Sequence, residues 1–445
     1  MRLADALRIR TVTTVAFIGA GGKSSAIRML VEELQSEAPV VVTTTTKLGS
    51  LQSDLAQRHF ILEDEELLGG LREYLGAAQS LLVTNRQVPG GSKWRGLSGN
   101  QMQALRQACA EANAVLLVEA DGARGKSLKA PAKHEPVIPD WTDLVVPIVG
   151  LDVIGRPVTG EYVHRAERAR ELLGLSKKAT ILEQHIVELL LSAKAGLKDI
   201  PPTAVVRCLL NHAHSPGDTA HGRAIAEELL ESERYQNVII ADLGGDQPIK
   251  ESVARIGGII LAAGASTRLE GPKQGILFRG KALVAHAVEA ALAGGLKPIV
   301  VVVGEQEVRM RELLDGYPVQ IVRNLNPNIG QSSSLQIGLG ELDSTVEGAI
   351  FLLADMPLVR GDLLLMLRER HRQTLAPIVV PYANGKRGNP VLFDRVTFDE
   401  LAKVAGDRGG RSLFKKFDRE RVLWDNAIHF DVDSPEDIKR MREME

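Results

Sequence analysis

Cysteine is nearly missing. The 445 residues hold two, Cys109 and Cys208, far apart and each beside apolar neighbours. That excludes a disulfide scaffold and points to buried thiols in a reducing compartment. An excess of either charge is missing too. The formal net charge is −2, so nothing pulls the whole chain toward nucleic acid or an anionic membrane, and any basic patch must be local. No apolar run approaches the length of a membrane span. The N-terminus mixes Asp5 with Arg2, Arg8 and Arg10, and its first apolar run, Val15–Ile18, is too short for a secretory core. No signal peptide is expected, and the cytoplasm is the expected location. Repeats and low-complexity segments are absent. What remains is a soluble globular composition, 44% hydrophobic and 25% charged, on a chain too long for one core.

Strand-like apolar runs alternate with helix-like stretches throughout, the pattern of α/β layers with mostly parallel sheets. In the first half the runs are Val15–Ile18, Val40–Thr43, Leu81–Val83, Val115–Val118, Leu144–Ile148, Ala204–Leu210 and Val238–Ala241. In the second they are Ile259–Ala262, Pro298–Val303, Val319–Val322, Ala349–Leu353, Ile378–Val380 and Val391–Phe393. A polar stretch, GGDQPIKES from Gly244 to Ser252, separates the two sets. The expected organisation is a first domain over 1–245, a linker over 246–255 and a second domain over 256–445.

Two segments of the second half carry the strongest chemistry. IILAAGASTRLEGPKQ is an apolar strand that opens into a small-residue loop with Gly264, Ser266, Arg268 and Lys273. Such a loop lets backbone N–H groups approach phosphate oxygens, and glycine permits the positive φ values this needs. FLLADMPL is a second apolar strand, ending in Asp355. Strand carboxyl ends are where ligands bind in α/β sheets, and a carboxylate there suits Mg²⁺. Each residue alone has a blander reading. Asp355 is also a good turn or cap residue, Arg268 and Lys273 are also ordinary surface charges, and Asp433 is also placed to cap a helix over Pro435–Met444. Together they fit one ordered pattern.

That pattern resembles the MobA-like nucleotidyltransferases, and within them the molybdenum cofactor cytidylyltransferases. The resemblance runs over 256–445. It rests on LAAGASTRLEGPK, QGILFRGK (Gln274 to Lys281), NPNIGQSSSLQIGL (Asn326 to Leu339), LADMP, RGNPVLF (Arg387 to Phe393), GDRGGR (Gly406 to Arg411) and FDVDSPEDI (Phe430 to Ile438). Leu269 replaces the family's usual methionine, the next glycine falls one place late at Gly271, and Leu277 replaces a proline. The resemblance implies a Rossmann-like α/β/α domain that joins CTP to molybdopterin with release of pyrophosphate. Arg268, Lys273 and Asp355 would be catalytic. Asp355 and Asp433 would hold Mg²⁺. Leu261, Ala262, Ala263, Gly264, Ser266, Ser332, Ser333 and Ser334 would hold the nucleotide, and Asn389 and Arg411 would face the pterin. Ala263 stands where guanylyl-transferring members usually have glycine. That favours CTP over GTP, since a methyl group in a tight loop disfavours the larger purine.

The first half carries FIGAGGKSS, Phe17 to Ser25, between an apolar strand and an amphipathic helix, Ala26 to Leu34. This is the setting of a phosphate-binding loop: Gly19, Gly21 and Gly22 let the backbone wrap a phosphate, Lys23 reaches it, and Ser24 can ligate Mg²⁺. Phe17 stands where the standard loop has its first glycine, so the motif is a variant. VVVTTTT, Val40 to Thr46, offers hydroxyls to a ligand. LLVEADG, Leu116 to Gly122, ends in Glu119 and Asp121, the latter a candidate Mg²⁺ ligand. A basic stretch follows, with Arg124, Lys126, Lys129, Lys133 and His134, and reads as phosphate or anionic-cofactor contact. His212, His214 and His221 lie in a cysteine-free polar stretch and read as an ordinary surface loop.

GAGGKSS, VTTTTK, VEADGARGKSLKAPAKHEPVIP and GLDVIGRPV resemble the selenium cofactor biosynthesis accessory proteins of the YqeC type, over roughly 5–245. The resemblance implies a P-loop-like α/β/α domain, binding of a nucleotide (ATP or GTP left open), and support of a selenium-dependent molybdenum hydroxylase. The implied partner is an apo-hydroxylase of the xanthine dehydrogenase type. Neither nucleic acid nor a membrane is expected as a partner. Two alternatives stay open: a non-catalytic carrier or insertion chaperone for the cofactor, and a transferase using GTP or a sugar or alditol phosphate.

Overall fold

A computed structural model describes residues 1–10, 13–63, 79–90, 93–264 and 273–444. Two compact units result, Met1–Val253 and Ala254–Glu445.

Unit 1 is built on strands β1 Thr14–Gly19, β2 Val40–Thr44, β3 Arg58–Ile61, β4 Ser80–Thr84, β5 Val115–Glu119, β6 Leu144–Gly150, β7 Val205–Asn211 and β8 Asn237–Ala241. Their order is β8-β7-β6-β1-β5-β2-β4-β3. These pairings are parallel. The central strands are unbroken apolar runs because a parallel sheet covered on both faces needs apolar side chains on both. β2, β5 and β6 are buried at every residue. Helices Gly99–Glu111, Glu183–Leu191 and Pro216–Leu229 pack on this sheet through residues such as Leu105, Ile186 and Ile225. β1 lies between β5 and β6: the chain leaves it toward β2 on the β5 side and later crosses from β5 to β6 on its other side. That reversal opens a crevice at the strands' carboxyl ends.

Unit 2 is built on β9 Ile249–Ala262, which begins in unit 1, and on β10 Ile299–Val303, β11 Gln320–Arg323, β12 Val346–Leu353, β13 Ile378–Ala383, β14 Val391–Asp394 and β15 Arg419–Leu423. Their order is β11-β10-β9-β12-β14-β13-β15. β14 runs antiparallel to both neighbours and the other pairings are parallel. Alternate residues of β9 and β10 face opposite cores. Ile260, Val301 and Val303 meet helices Leu283–Ala293 and Gly361–Thr374, while Ile259, Val300 and Val302 meet helix Gln331–Gly340. The unit is therefore a three-layer α/β/α sandwich. Gly338 lets its helix close on β9, since a Cβ there would sit 2.5 Å from Ile259 Cγ2.

All thirteen expected strands form, with ends shifted by a few residues except that β9 begins at Ile249, well before the expected Ile259. Further strands were not expected, among them β3, β15 and the short pair Leu128–Lys129 and Val163–His164. The polar stretch read as a linker gives its last residues to β9. Its polar side chains find partners there: Glu251 pairs with Arg223, and Asn237 Nδ2 donates to Ser252 Oγ at 2.8 Å. Both cysteines are free and buried. Burial pushes the Cys109 thiol up to about 12. Among the described residues no helix is long and apolar enough to cross a membrane.

Candidate functional site

In unit 2, β9 and β12 are neighbours in parallel register, Leu261 opposite Leu353. The Ala354 amide donates to the Leu261 carbonyl at 3.2 Å. The loop after β9 and Asp355 after β12 therefore share one sheet edge, at the place where strand order reverses. The Asp355 carbonyl accepts from the Val432 amide at 3.0 Å, which brings in the closing segment with Asp431 and Asp433. Ser434, not Asp433, caps the helix Pro435–Arg442: its Oγ accepts from the Asp437 amide at 3.2 Å. Asp433 is thus left for other work.

Lys273 joins these carboxylates. Its Nζ lies 2.5 Å from Asp355 Oδ2 and 2.5 Å from Asp433 Oδ1. Burial opposes the charge on Lys273, but the two aspartates outweigh it and raise its pKa above the ordinary lysine value. Asp431 is pushed up, by burial first and then by repulsion from Asp433 and Asp355. Asp355 Oδ1 is buried with no hydrogen-bond partner. An unsatisfied buried carboxylate oxygen is costly, so the cluster has unused capacity for a cation or donor. Among the described residues no three His, Cys, Asp or Glu side chains form a ready-made metal cage. Mg²⁺ does not need one, since it commonly takes one or two carboxylates and completes its shell with water and substrate phosphates.

A cavity of about 260 Å³ adjoins the cluster. Leu261, Phe351, Leu353 and Phe414 give it apolar walls, and Arg387, Asn389, Arg411 and Asp431 give it polar ones. Sequence-predicted Leu261, Asn389 and Arg411 meet here. Arg387 stacks 4.7 Å over the Phe414 ring. Gly388 admits Ile428, which a Cβ would meet at 2.6 Å. Ala262 and Ala263 are buried and Gly264 is exposed. Ser266 and Arg268 lie outside the described residues.

Three residues were missed by sequence reasoning. Gln274 is buried and donates from Nε2 to the Gly264 carbonyl at 3.1 Å, pinning the two ends of the loop together. Asn324 donates from Nδ2 to Ser333 Oγ at 2.8 Å and Ser334 Oγ at 2.9 Å. Ser332 and Ser334 are buried, so the serine run is tied into the start of its helix as well as facing the sheet edge. Asp431 is the third. It falls in the D-x-D of the closing segment, so its spacing from Asp433 was the available signal.

Unit 1 brings its predicted residues together differently. Gly19, Gly21 and Gly22 all have positive φ, and Lys23 starts a twelve-residue helix, Lys23–Leu34. A Cβ on Gly22 would lie 2.3 Å from Asn211 Nδ2, which itself donates to the Gly21 carbonyl at 2.7 Å. Lys23 is turned inward: Nζ donates to the Gly19 carbonyl at 2.6 Å and pairs with Asp121 Oδ1 at 3.1 Å. Asp121 Oδ2 takes the Gly19 amide at 3.0 Å and Lys129 Nζ at 2.9 Å. Asp121, expected as a candidate Mg²⁺ ligand, thus faces two lysine ammonium groups. Ser24 Oγ accepts from Gln52 Nε2 at 2.6 Å, and the same amide reaches Glu119 at 3.2 Å. Burial raises the pKa of Glu119.

The threonine hydroxyls expected to face a ligand bond to backbone instead: Thr43 to the Val83 carbonyl, Thr44 to Glu119 and Thr45 to Val137. Within the basic stretch Lys129 is buried, pairing also with Glu135 at 2.8 Å. Each of the three histidines faces a carboxylate of its own: His212 with Asp152, His214 with Asp242, and His221, which lies in the helix Pro216–Leu229 and not in the expected loop, with Glu183.

Comparison with known proteins matches residues 15–167 to the YqeC protein family and residues 258–422 to the MobA-like NTP transferase domain. The chain is 32% identical over 192 residues to the uncharacterized protein YqeC of Escherichia coli K12, covering 42% of this chain and 72% of that one. It is 32% identical over 173 residues to the nicotine blue oxidoreductase of Paenarthrobacter nicotinovorans, covering 36% of this chain and 81% of the relative. The crystal structure of Rv0371c from Mycobacterium tuberculosis H37Rv matches at 25% identity and a TM-score of 0.39, covering 42% of this chain and 98% of that one. Bifunctional GlmU proteins match over part of their length only, 32% of the one from Syntrophomonas wolfei. The chain belongs to the YqeC family through its N-terminal part and to the MobA-like NTP transferases through its C-terminal part.

Proposed function

We propose that the module over 256–445 transfers a cytidylyl group from CTP to molybdopterin, and that the module over 1–245, joined to it by 246–255, binds ATP or GTP and aids maturation of a molybdenum hydroxylase. The observation that carries the transferase reading is the meeting of Lys273, Asp355 and Asp433 where strand order reverses.

The acceptor is a phosphate monoester whose second pKa is near 6, so at neutral pH it is already largely dianionic and needs no general base. One of its oxygens attacks the α-phosphorus, the bond from that phosphorus to the bridging oxygen breaks, and pyrophosphate leaves with the electron pair. The remaining task is electrostatic: two anions must meet and the charge spreading over the transferred group must be neutralised. Lys273 and Arg268 bind the triphosphate and stabilise that charge. The loop amides at 263–266 hold its distal phosphates, and the serine run beside Asn324 helps hold the nucleotide. Asp355 and Asp433 are the residues that would hold Mg²⁺, which when bound draws the phosphates together and offsets their charge. The free Oδ1 of Asp355 supports that assignment. Asn389 and Arg411 face the acceptor in the adjoining cavity. In the first module the glycine loop 19–22 and the start of the helix at Lys23 cradle a nucleotide phosphate through backbone amides.

The test is pyrophosphate release by the full chain with molybdopterin and Mg²⁺, comparing CTP, GTP and ATP. CTP-selective release that disappears in Lys273→Ala supports the reading. Bound nucleotide without release moves the protein to the carrier reading. One finding favours a further alternative: the P. nicotinovorans relative is named as an oxidoreductase. NADH or NADPH consumption by the same preparation, without pyrophosphate release, would establish that instead.

A further inference from the structure

Unit 1 holds a second concave feature that the glycine loop does not use. After Asp121 the chain turns at Arg124, whose φ of 51° is left-handed. Two short strands, Leu128–Lys129 and Val163–His164, then pair in parallel, and the helix Ala166–Leu173 follows the second. The second strand and the helix, with the turn at Arg124 and Lys126, wall an open cavity of about 860 Å³. Six cationic side chains line it, Arg124, Lys126, Arg165, Arg168, Arg170 and Lys177, against one carboxylate, Glu167. The Glu167 side chain is 90% exposed, with Arg170 Nη2 3.9 Å away. Backbone carbonyls orient two of the cations: Lys126 Nζ donates to Glu161 at 2.8 Å and Arg170 Nη1 to Val158 at 2.8 Å. A carbonyl fixes a cation without cancelling its charge. Arg168 Nε is buried and lacks a hydrogen-bond partner, a cost that an incoming acceptor would remove.

Crowding this much like charge into one hollow is unfavourable through self-repulsion, and the chain as a whole carries net charge −2. The excess is local and concave. We propose that this basin is an anion site, separate from the glycine loop, for a small molecule bearing two or more phosphate groups. The cavity is in the size range of small-ligand sites. No Phe, Tyr or Trp lines it, so a planar ring would find no stacking surface there. Phosphate oxygens, by contrast, match the forked donors of several arginines. His164 is in the same wall. Burial first, then Arg165, Lys129 and Arg124, depress its pKa to about 4, so an added anion would raise it.

The experiment titrates the full chain, labelled at histidine, with inorganic pyrophosphate, and follows the His164 resonance, assigned through His164→Gln. Expected are a saturable shift of that resonance, a rise in its pKa, and weakening as ionic strength climbs from about 0.05 M to about 0.5 M. The double variants Arg124→Gln/Lys177→Gln and Arg124→Gln/Arg168→Gln should each weaken the response about tenfold or more, while Lys194→Gln, exposed and outside the basin, keeps it. The first pair carries Lys177, which is exposed, so it tests the basin even if Arg168→Gln misfolds. Arg165 is left intact because it also holds Glu135 at 2.7 Å. A His164 resonance that ignores pyrophosphate, or one that responds equally in wild type and in both double variants, overturns the proposal. So does an oligonucleotide that competes pyrophosphate away at lower concentration, since the surface would then serve nucleic acid.

Discussion

Lys23 and Lys273 stand in matching places. Each lies beyond the loop that follows a central parallel strand, and each meets an aspartate from the end of a neighbouring strand, Asp121 at 3.1 Å and Asp355 at 2.5 Å. Their surroundings diverge. Around Lys23 the charges alternate, Lys23 to Asp121 to Lys129 to Glu135 to Arg165, and the Lys23, Asp121 and Lys129 side chains are 4%, 2% and 1% exposed. Counting Glu119, 4.0 Å from Lys23, three positive and three negative members balance. Around Lys273 one ammonium faces Asp355 and Asp433, with Asp431 adding to the negative side, and Asp433 is 49% exposed. The second cluster has surplus negative charge, whereas a buried carboxylate oxygen without a hydrogen bond and an adjoining cavity occur in both. A lysine–aspartate pair at a sheet reversal is therefore not a site by itself. What marks a site is imbalance that a ligand can cancel.

The comparison breaks most directly at Lys129. If the unit 1 cluster is closed and structural, Lys129→Met leaves Asp121 with Lys23 and Glu135 with Arg165 only, one positive charge short in a buried network. Removing one partner of a buried pair typically costs about 3–5 kcal/mol. Equilibrium denaturation should show a loss of that size in the transition assigned to unit 1. A loss under about 1 kcal/mol would mean that the cluster is open to water and resembles the other.

The matching change in unit 2 should spare stability and remove activity. Asp355→Asn keeps shape but takes charge from the proposed metal site. Turnover should fall by about two to three orders of magnitude, the scale of losing one preorganised electrostatic contact, with an unchanged thermal midpoint. Wild-type turnover in this variant refutes the metal assignment.

What the sequence made legible follows the same division. Interior strands such as β2 and β10 announced themselves as apolar runs because both of their faces are covered. β3 (RHFI) and β15 (RERVL) were missed because each lies at a sheet edge with half its surface in water, where charged residues guard unpaired edges. In the candidate site Lys273 and Asp355 were legible through spacing within a motif. Gln274 and Asn324 were not, because an amide that closes a loop by bonding backbone or serine leaves no periodic trace. The inward turn of Lys23 was hidden for another reason: it depends on Lys129 and Glu135, whose positions beside Asp121 are fixed only by tertiary structure.

Acid titration sharpens the contrast with a smaller effect. Burial alone would raise the pKa of Glu135, but hydrogen bonds from Arg165 and Lys129 outweigh it and hold the carboxyl down at about 2. A depressed carboxyl stabilises the fold above its ordinary pKa of about 4.5, and the contribution fades as pH falls through about 2. The stability difference between wild type and Glu135→Gln should be full at neutral pH and shrink between those limits. A difference that stays constant down to pH 2 would show that Glu135 is not charged in the fold.

The smallest expected effect concerns base choice. Ala263 is buried at the end of β9, with its carbonyl 3.2 Å from where a Cβ on Gly304 would sit. The backbone is already close-packed on that side, so the Ala263 methyl has little room to yield to a larger base. Ala263→Gly removes it without touching Lys273, Asp355 or Asp433. A single methyl-sized difference discriminates by about 1–3 kcal/mol at most, so the ratio of kcat/KM for CTP over GTP should fall by about tenfold, chiefly through a gain with GTP. If instead both nucleotides lose activity equally, the methyl supports the loop and the base is read elsewhere. The cavity carrying Arg387, Asn389 and Arg411 would then be the next place to look, because Asp431 of the carboxylate cluster shares its lining.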